Sequence, residues 1–106
     1  DYLAHLGIKI LNRNWRFKRA EVDIIAQDGA ILVFVEVKAR SNLSFGPPEE
    51  MIDSRKKSML YHAASAYMLE TGYEGEIRFD ILAITKEPHK MVEITHFKDA
   101  FHPGYG

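Results

Sequence analysis

The stretch Glu21-Val22-Asp23-Ile24-Ile25-Ala26-Gln27-Asp28-Gly29-Ala30-Ile31-Leu32-Val33-Phe34-Val35-Glu36-Val37-Lys38-Ala39-Arg40 decides how the rest of this chain reads. Two runs rich in Val, Ile and Phe flank Gln27-Asp28-Gly29. Asp-Gly between apolar runs is a strong tight-turn signal, so the spacing predicts a β-hairpin with a two-residue turn at Asp28-Gly29. Near-continuous apolar strands are usually buried on both faces, and a charge inside one is costly unless it is paired or bound to a metal. Asp23 interrupts the first run, and Glu36 and Lys38 interrupt the second.

Side chains alternate along a strand, so Glu36 and Lys38 share a face. A turn at Asp28-Gly29 sets Asp23 opposite Phe34 and diagonal to Glu36, and diagonal neighbours lie roughly 7–8 Å apart on one face. Asp23, Glu36 and Lys38 are therefore expected to converge. Two carboxylates at that separation suit one hard divalent cation, Mg²⁺ or Mn²⁺, and a lysine beside them suits the handling of a metal-activated water. The alternative is an ordinary solvated strand face ending in charges.

Upstream, Asp1 to Leu6 reads as the end of a helix that Gly7 caps, with Leu3 and Leu6 on one face. Ile8 to Phe17 reads as an edge strand with Ile8, Ile10 and Leu11 as core candidates. Trp15 suits burial better than base stacking. Arg13, Arg16, Lys18 and Arg19 cluster here, as phosphate contacts or as a solvated edge.

Downstream, Ser41 to Pro48 is a Ser-, Asn-, Gly- and Pro-rich loop placed to close over a substrate or merely to connect. Asp53 resembles the N-cap of a helix over Ser54 to Glu70, closed by Gly72, with Met59, Leu60, Ala63 and Tyr67 as its apolar stripe. Lys56 falls on that stripe near the helix N-terminus, suited to a substrate phosphate or to a nearby carboxylate. Arg78 to Thr85 and Met91 to Phe97 read as two further strands, the second an edge, and Phe101 as an anchor for the tail. Asp80, another charge in an apolar run, suits a structural pair with Arg78 better than a site role.

With 106 residues, the chain supports one domain spanning 1–106. It has no cysteine, which excludes disulfides and thiolate metal sites and fits a cytoplasmic location. It carries no apolar run long enough to span a membrane. The formal net charge of −1 argues against a non-specific polyanion binder, so the local clustering of Arg and Lys carries more information than the sum. The five histidines show no ligand spacing.

Taken together, Asn14-Trp15-Arg16, Glu21-Val22-Asp23-Ile24-Ile25-Ala26, Leu32-Val33-Phe34-Val35-Glu36-Val37-Lys38-Ala39-Arg40, Phe45-Gly46, Lys56, Arg78-Phe79-Asp80 and His96-Phe97-Lys98-Asp99-Ala100-Phe101 resemble the YraN-like family, grouped with Holliday-junction-resolvase-like endonucleases of the PD-(D/E)XK nuclease superfamily. The resemblance implies an α/β, single-domain restriction-endonuclease-like fold. Its central mixed five-stranded sheet would be flanked by helices in the order α-β-β-β-α-β-β. It implies Asp23 and Glu36 as metal-binding carboxylates, Lys38 as the catalytic lysine and the Val37 backbone carbonyl as a further metal donor. Glu21, Arg40, Lys56 and Arg16 become substrate-side residues, with Glu21 on the face of Asp23 by alternation. Ala20 stands where the family usually has Gly. The chain opens at Asp1 without Met, and the acidic residue that resolvase-like members carry in the first helix is expected upstream of a truncated N-terminus.

The function implied is a Mg²⁺- or Mn²⁺-dependent endonuclease acting on DNA, branched or junction DNA included, with a homodimer as the assembly suggested by analogy with resolvases. The competing expectation is a non-catalytic nucleic-acid-binding module on a nuclease fold. A third is a protein-interaction domain presenting Phe45 and Tyr105.

Overall fold

The computed structural model describes residues 2–40 and 50–102. The elements are α1 (Tyr2–His5), β1 (Lys9–Phe17), β2 (Ala20–Asp28), β3 (Ile31–Arg40), α2 (Ser54–Thr71), β4 (Ile77–Thr85) and β5 (Glu93–Phe97). They form one sheet in the order β1-β2-β3-β4-β5. All neighbours pair antiparallel except β3 and β4, which run parallel. A parallel pair needs a long crossover, and α2 supplies it. The mixed five-stranded sheet with helices in the order α-β-β-β-α-β-β, expected from the sequence, is the one observed.

The apolar character of β3 follows from its position. Leu32 and Phe34 point into a core with Val22, Ile25, Leu60, Ala63, Tyr67 and Phe79 under α2. Val33 and Val35 point the other way, into a second core with Leu3, Ile8, Ile24, Ala26 and Leu82. The aromatic spine of the first core is stacked: Phe34 on Phe79 at 5.5 Å and Phe79 on Phe101 at 5.3 Å between ring centroids. Phe101 thus anchors the tail, and the Ala100 amide donates to the Phe79 carbonyl at 2.8 Å.

The caps of α2 are those its sequence predicts. Asp53 accepts a hydrogen bond from the Lys56 amide, and Gly72 ends the helix in the left-handed region at φ 72°. The buried stripe is Leu60, Ala63, Ala64 and Tyr67; Met59 is only half-buried. Two expectations at the N-terminal end fail. Leu3 is buried but Leu6 is exposed, because α1 stops at His5 and the chain turns through Gly7 at φ 80°. Leu11 is also exposed, because a bulge between Ile10 and Asn12 adds a residue and turns it off the core.

The hairpin register differs from expectation by two residues. Asp28 pairs with Ile31 and Ile24 with Val35, so the turn is Gly29-Ala30. Gly29 takes φ 61° at the first central position, where a type II′ turn demands a positive φ. A slip of two residues preserves which face each side chain occupies.

Asp80 lies within β4, paired level with Val35, and has no exposed surface. Its carboxylate accepts from Arg78 Nε at 2.8 Å and Nη2 at 2.9 Å and from the Asp99 amide at 2.9 Å, and lies 2.7 Å from His96 Nε2. Arg78 Nη1 also reaches Asp28 at 3.0 Å. One buried ion group therefore ties β4 to β5, to the turn after it and to the β2–β3 hairpin, the structural role its sequence context favours. Removing one partner of such a group leaves buried charge uncompensated. Asp80→Asn is expected to lower stability by on the order of 3 kcal/mol, read from the urea midpoint at unchanged slope.

Candidate active site

The site forms where β2 leaves β3. Described pairing between them runs from Asp28↔Ile31 to Ile24↔Val35, whereas β3 stays paired with β4 as far as Arg40↔Thr85. Past Val35 the next amide on the β2 side is that of Val37, and it donates to Asp23 Oδ2 at 2.8 Å. A side-chain carboxylate thus stands in for the missing ladder carbonyl. The observed register also brings Asp23 level with Glu36, closer than the diagonal placement expected from an Asp28-Gly29 turn.

The strand pair β1–β2 changes hand at the same level. Val22 and Ile25 both pack under α2, while Ile24 and Ala26 pack on the opposite face. Strict alternation therefore breaks at Asp23, and the expectation that alternation keeps Glu21 on its face does not hold. Opposite Asp23, between the pairs Arg13↔Ile24 and Trp15↔Val22, stands Asn14 at φ 50°. The left-handed region is uncommon for residues other than Gly, and Asn is among the few that tolerate it.

Glu36 is the centre of charge. It is 5% exposed. Its Oε2 lies 3.9 Å from Lys38 Nζ and 3.6 Å from Lys56 Nζ. Lys56 thus pairs with a carboxylate, one of the two roles its helix position suits. Oε1 is buried and has no hydrogen-bond partner among the described residues. Burial, and then the negative charge of Asp23, push the Glu36 carboxyl from 4.5 up to about 7, against the lowering pull of Lys56 and Lys38.

Two carboxylates forced together, one with an orphaned buried oxygen, fit a hard divalent cation: it would satisfy Oε1 and cancel the repulsion that raises Glu36. Among the described residues no three His, Cys, Asp or Glu side chains gather as a metal cluster. Asp23 and Glu36 are the residues that could hold such an ion.

The remaining expected residues lie elsewhere. Arg16 and Glu21 are cross-strand partners and pair with each other at 3.4 Å. Arg40 ends β3, and its side chain lies outside the described residues, as do the loop Ser41 to Pro48 with Phe45, and Tyr105. Sequence reasoning named Arg13 only within a basic cluster suited to phosphate and missed Asn14 as a neighbour of the site: with Asp23, Ile24 and Val37 the two line a cavity of about 410 Å³. The available signal was an Asn in the middle of a strand, a position where its β propensity is poor.

Comparison with known proteins places this geometry in context. Residues 1–84 match the family described as Uncharacterised protein family UPF0102. A UPF0102 protein of Flavobacterium psychrophilum is 45% identical over 102 residues, covering 96% of this chain and 85% of the relative. One from Geotalea daltonii is 42% identical over 105 residues, covering 98% and 83%. Among solved structures, Archaeoglobus fulgidus Hjc, a Holliday junction resolvase, is similar with a TM-score of 0.44 at 18% identity, over 92% of this chain and 80% of that one.

Two outcomes follow for stability. Asn14→Val is expected to cost about 1–2 kcal/mol more than Asn14→Gly in urea unfolding, because a β-branched residue resists φ 50°. For Glu36, the folded value of about 7 exceeds the ordinary 4.5, so the folded chain binds the proton more tightly than the unfolded. Its stabilising effect is full below pH 4.5 and is lost as pH rises through 7. In chelator, Glu36→Gln should remove this decline. The variant gains on the parent by roughly 3 kcal/mol between those limits, from about 2.5 pH units at about 1.36 kcal/mol each.

Proposed function

Because this chain belongs to the uncharacterised protein family UPF0102, we propose its function from the site itself: a Mg²⁺- or Mn²⁺-dependent endonuclease that hydrolyses phosphodiester bonds in DNA, branched or junction DNA included. The observation that carries this reading is the buried Oε1 of Glu36 beside Asp23, without a hydrogen-bond partner among the described residues.

Asp23 and Glu36 would hold the ion, with the Val37 backbone carbonyl as a further donor. The ion, when bound, supplies Lewis-acid polarisation of a phosphate and acidifies a water. The chain's own groups supply the rest. Asp23 is oriented for this by the Val37 amide, which occupies one lobe of Oδ2 and keeps the carboxylate from turning away. Lys38 Nζ, held near Glu36 Oε2, donates hydrogen bonds to an attacking water and offsets the negative charge that develops on the phosphate oxygens. Lys56 Nζ carries a second positive charge to the same carboxylate from the first turn of α2. It is a second electrostatic anchor for the phosphate, reinforced by the helix N-terminus. The exposed guanidinium of Arg16 suits a phosphate farther along the strand, as a positioning contact only.

One observation favours a second reading, a nucleic-acid-binding module without catalysis: the described residues offer no third carboxylate to the site. The two readings separate in a cleavage assay on labelled linear, flap and four-way-junction DNA with Mg²⁺ or Mn²⁺, run beside Mn²⁺ calorimetry. The endonuclease reading expects cleavage by the parent chain. Asp23→Asn and Glu36→Gln should each lower it by at least about 100-fold, since losing a metal ligand or its electrostatic equivalent costs several kcal/mol at the transition state. Cleavage unchanged in both variants sinks this reading. Absence of both cleavage and Mn²⁺ binding leaves the binding module.

A further inference from the structure

A groove of about 950 Å³ runs between the β1–β2 turn and α2, apart from the carboxylates of the site. Lys18 and Arg19 from the turn, Arg16 from β1 and Arg55 from α2 line it, against Glu70 as the carboxylate among its described lining residues. Arg16 is partly offset by Glu21, so among the described residues the uncompensated charge falls on Lys18, Arg19 and Arg55. The lining is also apolar: Phe17, Met59 and Leu69 contribute to it, and Leu69 is 86% exposed. Lys18 Nζ sits 5.3 Å from the centre of the Phe17 ring, so cation and aromatic face are presented together. Arg55 precedes Lys56, which contacts Glu36, so the groove opens beside the site. From Arg55 to Leu69 it follows about 21 Å of helix, at about 1.5 Å per residue.

The combination selects its ligand. Charge alone would suit any polyanion. An intact duplex presents phosphates but keeps its base faces stacked inside, and it would leave the apolar side chains wet. An unpaired strand offers a charged backbone and exposed base faces at once, the pairing that single-strand-binding grooves use. We infer that this groove holds an unpaired strand of DNA leaving the cleavage site, its phosphates against Lys18, Arg19 and Arg55 and its bases against Phe17, Met59 and Leu69. The inference rests on the endonuclease reading for the choice of DNA over an acidic peptide, and it narrows the substrate to branched DNA with a single-stranded arm.

The test is fluorescence anisotropy in chelator, without divalent cation, so that it does not depend on cleavage. The probes are a blunt duplex, the same duplex with an oligothymidine overhang, and oligothymidine alone. The proteins are the parent chain, the double variant Arg19→Gln with Arg55→Gln, and Leu69→Asp, each checked for an unchanged melting curve; all three positions are exposed. The parent should prefer the overhang to the blunt duplex by roughly tenfold or more, the scale of stacking one or two bases. Both variants should lose that preference and keep their blunt-duplex affinity. The double variant should also lower the log–log salt slope for oligothymidine by about 1.4, two phosphate contacts at about 0.7 each.

Equal weakening on all probes, an overhang preference that survives the variants, or no DNA binding by the parent would each overturn the inference. So would a groove taken by a second copy, seen as Leu69→Asp converting a dimer to a monomer in sedimentation with oligothymidine binding intact. Overhang-selective groove binding retained in a chain that cleaves nothing overturns the endonuclease reading and leaves the groove as a single-strand-binding surface without a cleavage site. Cleavage without overhang preference does the reverse.

Discussion

The hydrogen bond from the Val37 amide to Asp23 is the hinge of this molecule. A central strand has to satisfy its amides on both sides, and an unsatisfied one costs about 1–3 kcal/mol. On the β4 side, β3 does so with backbone throughout. On the β2 side the described ladder ends at Ile24↔Val35, and the debt is met by a carboxylate. Because Asp23 must stay near the strand to accept this hydrogen bond, it cannot retreat from Glu36. The two negative charges are therefore held together by the requirements of the sheet.

That confinement explains the charge around it. Glu36 is buried, repelled by Asp23 and pulled back by Lys38 and Lys56. Such an arrangement is poor design for stability alone, since buried carboxylates without full hydrogen bonding weaken a fold. The contrast with Asp80 makes the point. It is equally buried, but its oxygens meet Arg78, His96 and the Asp99 amide, and it serves to join elements. Two buried carboxylates of one sheet thus divide into a satisfied structural group and an unsatisfied one, and the unsatisfied one is where chemistry is proposed.

The strain at Asn14 belongs to the same economy of space. Its left-handed backbone lies directly across from Asp23, at the level where both strands exchange the faces of their side chains. The exchange returns Val22 and Trp15 to the α2 side, where Trp15 meets Tyr67 edge-on at 5.2 Å. The strand pair beyond the switch is thereby packed against α2, and its turn forms one wall of the basic groove.

Much of this was legible locally. Runs of Val, Ile and Phe announce buried strands, Asp53 and Gly72 announce the ends of α2, and charges within apolar runs announce Asp23, Glu36, Lys38 and Asp80 as residues with a reason to be there. Those signals depend on chain-local rules: alternation, capping and the cost of burying charge. The register of the hairpin was not legible, because Asp28-Gly29 and Gly29-Ala30 are both acceptable turns and only the packing of two cores chooses between them. Nor was the reversal at Asn14, which breaks the alternation on which the reading of Glu21 relied. Which partner Lys56 takes, and whether Asp80 is satisfied, depend on groups far away in sequence. The sequence by itself determined the elements and the charged residues that interrupt them. The tertiary structure alone decided which of those charges meet and which oxygen is left without a partner among the described residues, because such distances are set where separate strands and a helix pack, not along the chain.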